Sequence, residues 1–120
     1  MMVDRLPEYL GQMRTAATQA CDFVATMERE EFLSDIRTQM AVNMTLVLTG
    51  EAASRIMTHY PDFTVDHPEI PWSQIRGMRN FVAHDYYELE LSIVWDTAKI
   101  HLPVLLDDLE VLRHWRAQGE

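Results

Sequence analysis

Apolar residues recur every three or four positions along most of the chain, the spacing that puts them on one side of an α-helix. Between residues 5 and 28 the series is Leu6, Leu10, Met13, Ala17, Ala20, Phe23, Val24 and Met27. Residues 31–59 contain no proline and a single glycine, Gly50, with Phe32, Ile36, Met40, Val47, Ile56 and Met57 marking an apolar side. Unbroken, that segment would be about 45 Å long at ~1.5 Å per residue. Such a length predicts either a bend near Gly50 or extra surface that meets a partner.

Pro61, Pro68 and Pro71 interrupt the period between His59 and Trp72 and predict a surface loop, with Pro71 in the first turn of the next helix. That helix starts near Trp72, includes Ile75, Met78, Phe81 and Val82, and frays or ends around His84–Tyr87. A last helix runs from about Leu89 to Trp115. Pro103 removes one of its backbone hydrogen bonds and predicts a kink. Leu105, Leu109, Leu112 and Trp115 continue its stripe. No run alternates as a half-buried strand does. The pattern predicts an all-α fold, an up-and-down bundle of four main helices, as one domain over residues 1–120.

Composition narrows the functional classes. Apolar residues make up 48% of the chain, enough for a real core, and the net charge is −9 with a pI near 4.9. A charge of that sign argues against broad nucleic-acid binding, which depends on Lys and Arg against phosphates. The cations are nine arginines and one lysine, Lys99, so positive charge comes as planar forks suited to phosphate or carboxylate. Cys21 is the sole cysteine, and the five histidines have no metal-ligand spacing, so neither a metal nor another cofactor is expected. With no signal-like or membrane-spanning segment, a cytoplasmic location is expected.

The stretch GMRNFVAHDYYEL, residues 77–89, concentrates the candidate chemistry. Asn80 and His84 are four apart and neighbours on a helix face. Arg79 and Tyr86 are seven apart and share a face if the helix stays regular. Arg79 and His84 are about 140° apart around the axis, able to flank a phosphate but not to touch. Histidine can exchange a proton near neutral pH, and arginine can stabilise charge building on a phosphoryl group. Together they suit attack of an RNA 2′-hydroxyl on the adjacent phosphate, without a metal. One histidine is thin for both base and acid, which favours a symmetric dimer pooling two sites. By spacing alone the same residues also fit a surface arginine, a histidine at a helix C-terminus and a packing tyrosine. Arg76, three before Arg79, is either a further phosphate contact or a surface ion pair. Glu51 is either on a solvated face or a partner of Arg76 or Arg79. Asp85, Glu88 and Glu90 crowd His84 with negative charge.

Arg79-Asn-Phe-Val-Ala-His84-Asp-Tyr86 matches the Arg-x-x-x-x-His-x-Tyr motif and resembles the HepT-like ribonuclease toxins of the HEPN superfamily. RTQMAV (37–42), TGEAASRI (49–56), YPDF (60–63), IPWSQIRGMRNFVAHDYY (70–87) and IVWDTAKIHLPVL (93–105) resemble that family's blocks in order, so the likeness covers roughly residues 5–115. The resemblance implies a helical homodimer with a composite site in its cleft. It implies a metal-independent endoribonuclease, the toxin of a type VII toxin–antitoxin module. The partner it implies is an MntA-like nucleotidyltransferase antitoxin. Arg79 and His84 match the catalytic pair, Asn80 the polar position after the arginine, and Tyr86 the tyrosine that the antitoxin adenylylates. The alternative is a non-catalytic HEPN partner that only presents Tyr86 to a nucleotidyltransferase.

Overall fold

Asp35 sets where the longest helix begins. The computed structural model describes residues 4–84 and 86–119, the side chains of 114–119 excepted. It contains α1 Leu6–Val24, α2 Arg29–Leu33, α3 Ile36–His59, α4 Pro61–Asp66 and α5 Trp72–His84. A 3₁₀ turn at Tyr86–Glu88, α6 Leu91–Asp96, a π turn at Thr97–His101 and α7 Leu102–Gly119 complete it. The run expected to be one helix over 31–59 is divided at Ser34–Asp35. The Asp35 carboxylate accepts from the Thr38 backbone N–H at 3.2 Å and from the Thr38 hydroxyl at 2.8 Å, an N-cap that starts a new helix there. The Gln39 side-chain amide then donates to the Phe32 carbonyl at 2.9 Å and holds α2 against α3 across the break. At 24 residues, α3 is about 36 Å long.

Four main helices carry the fold: α1, α3, α5, and the nearly continuous α6–π turn–α7. There is no strand among the described residues. α3 packs along α1 on one side and along α5 on the other, and α1 also packs on α7. Met13, Ala17 and Ala20 of α1 meet Val42, Leu46, Ala53 and Ile56 of α3 in the core. Ile75 and Val82 of α5 and Leu102, Leu105, Leu109 and Leu112 of α7 complete it. The expected core places of Trp115, and any effect of Asp85, fall outside the described residues and side chains. Among the described residues no helix is long and apolar enough to cross a membrane.

One punctuation signal resolves differently from expectation, and a second is met by a local change of winding. The proline-rich stretch after His59 is not all loop, because Pro61 occupies the first turn of α4, where its missing N–H costs nothing. Pro103 is accommodated by the π turn before it, where the Leu102 N–H reaches back five residues to the Thr97 carbonyl. In that pattern the Ala98 carbonyl would bond to residue 103, and proline has no N–H to give. The Cys21 thiol donates to this carbonyl at 3.5 Å. Burial pushes the thiol pKa up, which keeps the donor proton in place.

Several apolar positions face out. Ile36, Met40, Met44 and Leu48 follow four-residue steps along α3 and are between 47% and 66% exposed. Ile36 and Met40 therefore do not lie on the core side, as the sequence pattern suggests. Val42, Leu46 and Ile56 do, joined by buried Thr45 and Thr49, whose hydroxyls donate back to carbonyls of their own helix. Phe23 and Phe81 are likewise exposed. The outward row of α3 leaves an apolar strip exposed along one side of the helix.

Candidate active site

The site is built on the contact between α3 and α5, and Gly50 makes that contact close. A Cβ at position 50 would lie 3.0 Å from the Arg79 backbone nitrogen, 3.0 Å from the Ile75 carbonyl oxygen and 3.1 Å from the Arg79 Cβ. Only glycine lets the two backbones approach this far. α3 runs helically through Gly50 from Ile36 to His59, so the glycine serves the approach and not an interruption.

This contact fixes the root of Arg79, and Glu51 fixes its tip. Arg79 Nη1 donates to Glu51 Oε1 at 2.6 Å. Of the two arginines weighed as partners for Glu51, Arg79 takes the place. Arg76, one turn earlier, is exposed and has no ion pair with a described residue. The second oxygen of Glu51 faces Arg55 Nη2 at 3.9 Å, so one carboxylate stands between two guanidinium groups. All three side chains are between one third and one half exposed. The charge-assisted bond therefore orients Arg79 within reach of solvent. A guanidinium has five N–H donors, so most remain open to an anion.

α5 is regular through His84, its last residue. The 140° separation of Arg79 and His84 about the axis, and the shared face of Asn80 and His84, hold over that regular stretch. Both Asn80 and His84 are exposed. His84 occupies the C-terminal end of α5. No described residue hydrogen-bonds its ring. Tyr86 falls in the tighter 3₁₀ turn beyond the helix. The seven-residue relation to Arg79 runs through residue 85, which lies outside the described residues. The Tyr86 ring is partly exposed and packs edge-on against the fully exposed Tyr87, with centroids 5.7 Å apart.

The structure thus joins Arg79 to Glu51 and places Asn80 and His84 along the adjoining surface of α5. It puts Tyr86 just past the helix end. Two contributors escaped the sequence reading. Arg55 stands four residues after Glu51, an ion-pair spacing that would have flagged it. The contact role of Gly50 had no local signal, since it depends on which helix lies opposite. Among the described residues no group of three or more His, Cys, Asp or Glu is arranged to hold a metal ion.

An expected result follows for Gly50→Ala. Alanine gains about 1 kcal/mol over glycine inside a helix. Forcing a methyl group against backbone costs about 1–3 kcal/mol. The clash prevails because the opposing atoms are main chain and cannot rotate away. A urea midpoint below the parent's is expected, corresponding to a net loss of up to about 2 kcal/mol. An unchanged or higher midpoint would contradict the close approach.

Comparison with known proteins places these residues in context. A family model described as "Ribonuclease HepT-like" matches residues 13–112, a span that contains Gly50, Glu51 and the whole Arg79–Tyr86 stretch. The chain is 35% identical over 106 residues to a protein of Thermococcus cleftensis named probable ribonuclease HepT, covering 88% of this chain and 94% of that one. It is 33% identical over 89 residues to a Methanocaldococcus jannaschii protein whose name marks it as a candidate RNase, covering 74% and 71%. A similarly named protein of Caldanaerobacter subterraneus subsp. tengcongensis is 30% identical over 91 residues, covering 72% and 79%. No solved structure gives a significant match.

Proposed function

The chain belongs to the HepT-like ribonuclease family, and we propose that it is a metal-independent endoribonuclease, the toxin of a two-component toxin–antitoxin module. The observation that carries this reading is the family match, which runs through the α3–α5 contact and the motif on it. In the proposed reaction the RNA 2′-oxygen bonds to the adjacent phosphorus as the bond from phosphorus to the 5′-oxygen breaks. A 2′,3′-cyclic phosphate and a 5′-hydroxyl result. His84 of one copy accepts the 2′-hydroxyl proton, and His84 of a second copy protonates the leaving 5′-oxygen. Arg79, held by Glu51, stabilises the charge that accumulates on the phosphoryl oxygens. Asn80, on the His84 face, positions RNA or the imidazole. Arg76, exposed and without an ion pair to a described residue, adds a phosphate contact.

Pooling two histidines requires a homodimer. The outward row Ile36, Met40, Met44 and Leu48 supports one, because it lies on the α3 surface that leads to Glu51 and Arg55. The chain acts in the cytoplasm as a single domain over residues 1–120. Its partner is a nucleotidyltransferase antitoxin that adenylylates Tyr86. The phenolic oxygen attacks the α-phosphorus of ATP, pyrophosphate leaves, and AMP remains on the ring. The added bulk and negative charge beside α5 repel the RNA phosphate.

The reading is tested with purified protein and single-stranded RNA in excess EDTA. Cleavage giving cyclic phosphate and 5′-hydroxyl ends is expected, and its loss on chelation would overturn the metal-independent route. Incubation with the nucleotidyltransferase and ATP is expected to add one AMP mass to Tyr86 and to stop cleavage. AMP on Tyr86 of a chain that never cut RNA would identify a non-catalytic partner instead.

A further inference from the structure

An acidic protein that handles RNA needs local positive charge, and the structure concentrates it beyond the motif. α1 and α3 border a groove of about 620 Å³ that includes Glu51 and Arg55 and also takes in Arg14 from α1. We infer that a single-stranded RNA backbone runs along this α1–α3 groove from Arg79, with Arg55 and Arg14 each contacting a phosphate flanking the cleaved one. The inference rests on the ribonuclease reading and assigns that site its strand path.

The charges favour it. Glu51 is shared between Arg79 at 2.6 Å and Arg55 at 3.9 Å, so this carboxylate is outnumbered at the groove's edge. The other carboxylate lining the groove, Glu8, has both oxygens bonded by Arg5, at 2.8 and 3.1 Å. Among the described residues, Arg14, Arg55, Arg79 and the Glu8-bound Arg5 thus stand against Glu51 and Glu8 within the groove and at its edge, a surplus of positive charge in a chain whose net charge is −9. The shape fits as well. Gly11 and Ala16 contribute almost no side chain to the groove, and a Cβ built on Gly11 would meet nothing nearer than Arg14 Nη2 at 4.0 Å. Gln12 and Gln19 add amide donors along the wall. No aromatic ring is among the described residues lining it. Bases therefore have no stacking platform there, and the contact reads charge without reading sequence.

The test measures binding and turnover separately. Binding of a labelled single-stranded RNA oligonucleotide is followed by fluorescence anisotropy in the His84→Ala background over a range of salt. Each phosphate contact contributes about 0.7 to the slope of log affinity against log salt for a single strand. Arg14→Gln and Arg55→Gln are each expected to flatten the slope by about 0.7, and the pair by about 1.4. In the His84-containing chain the double variant should raise KM with little change in kcat. Arg29→Gln, on α2 away from the groove, should leave the slope as it was, and melting curves confirm that each variant folds. Unchanged slope and KM in the double variant would overturn the strand path while leaving the nuclease intact. The expected loss of binding in a chain that never cleaves RNA would do the reverse. A parent chain with no affinity for RNA would overturn the path outright.

Discussion

Replacing His84 with alanine is expected to slow RNA cleavage by about 10²–10⁴-fold, the range that a positioned proton-transfer group contributes. The variant should keep its fold. His84 is exposed at the end of α5, and no described residue bonds its ring, so removal leaves neither a cavity nor an orphaned partner. Exposed substitutions of this sort typically change stability by about 0.5 kcal/mol or less. The informative measurement pairs single-turnover cleavage with a melting curve on the same preparation. A folded variant that cuts at the parental rate would remove His84 from the chemistry. One that does not fold would contradict the surface position described for the residue.

Arg79→Ala is expected to lower kcat by about 10²–10³-fold, comparable to removing one donor that stabilises transition-state charge. Arg79→Lys should recover little, because an ammonium is a single point charge without the guanidinium fork. Glu51 separates orientation from charge. Glu51→Gln retains an oxygen that can accept from Arg79 Nη1 but loses the charge that makes the 2.6 Å bond strong. Its rate should fall between those of the parent and Arg79→Ala. Since Glu51 is partly exposed and also faces Arg55, Arg79→Ala does not strand a buried charge, and the loss of rate should exceed the loss of stability. Equal rates for Glu51→Gln and the parent would show that the ion pair does not orient Arg79.

Local pattern carried much of the fold and rather less of the site. The steps of three and four residues place α1, the start of α5 at Trp72 and its end at His84, because those boundaries follow nearby signals. The break at Asp35 was also written locally, in an aspartate three residues before Thr38, but an unbroken apolar run concealed it. The orientation of α3 was not local. Its apolar residues suffice for two faces, and only the packing of α1 and α5 decides that Val42 and Leu46 point inward while Ile36 and Met40 point out. Likewise the motif and family likeness singled out Arg79 and His84. That Glu51 selects Arg79 over Arg76 depends on a pairing across 28 positions of chain, which no spacing rule contains.

The close crossing at Gly50 has a consequence for how the arginine is readied. The atoms in contact there are main-chain atoms, Arg79 N and Ile75 O, together with the Arg79 Cβ. Main chain has no rotamers, so the anchor of the guanidinium arm is settled when the protein folds, not when substrate arrives. What remains free is the arm itself, and Glu51 restrains its far end. On the proposed ribonuclease reading, Arg79 then has little configurational entropy left to lose when RNA binds, and pre-organisation of that kind strengthens both binding and rate.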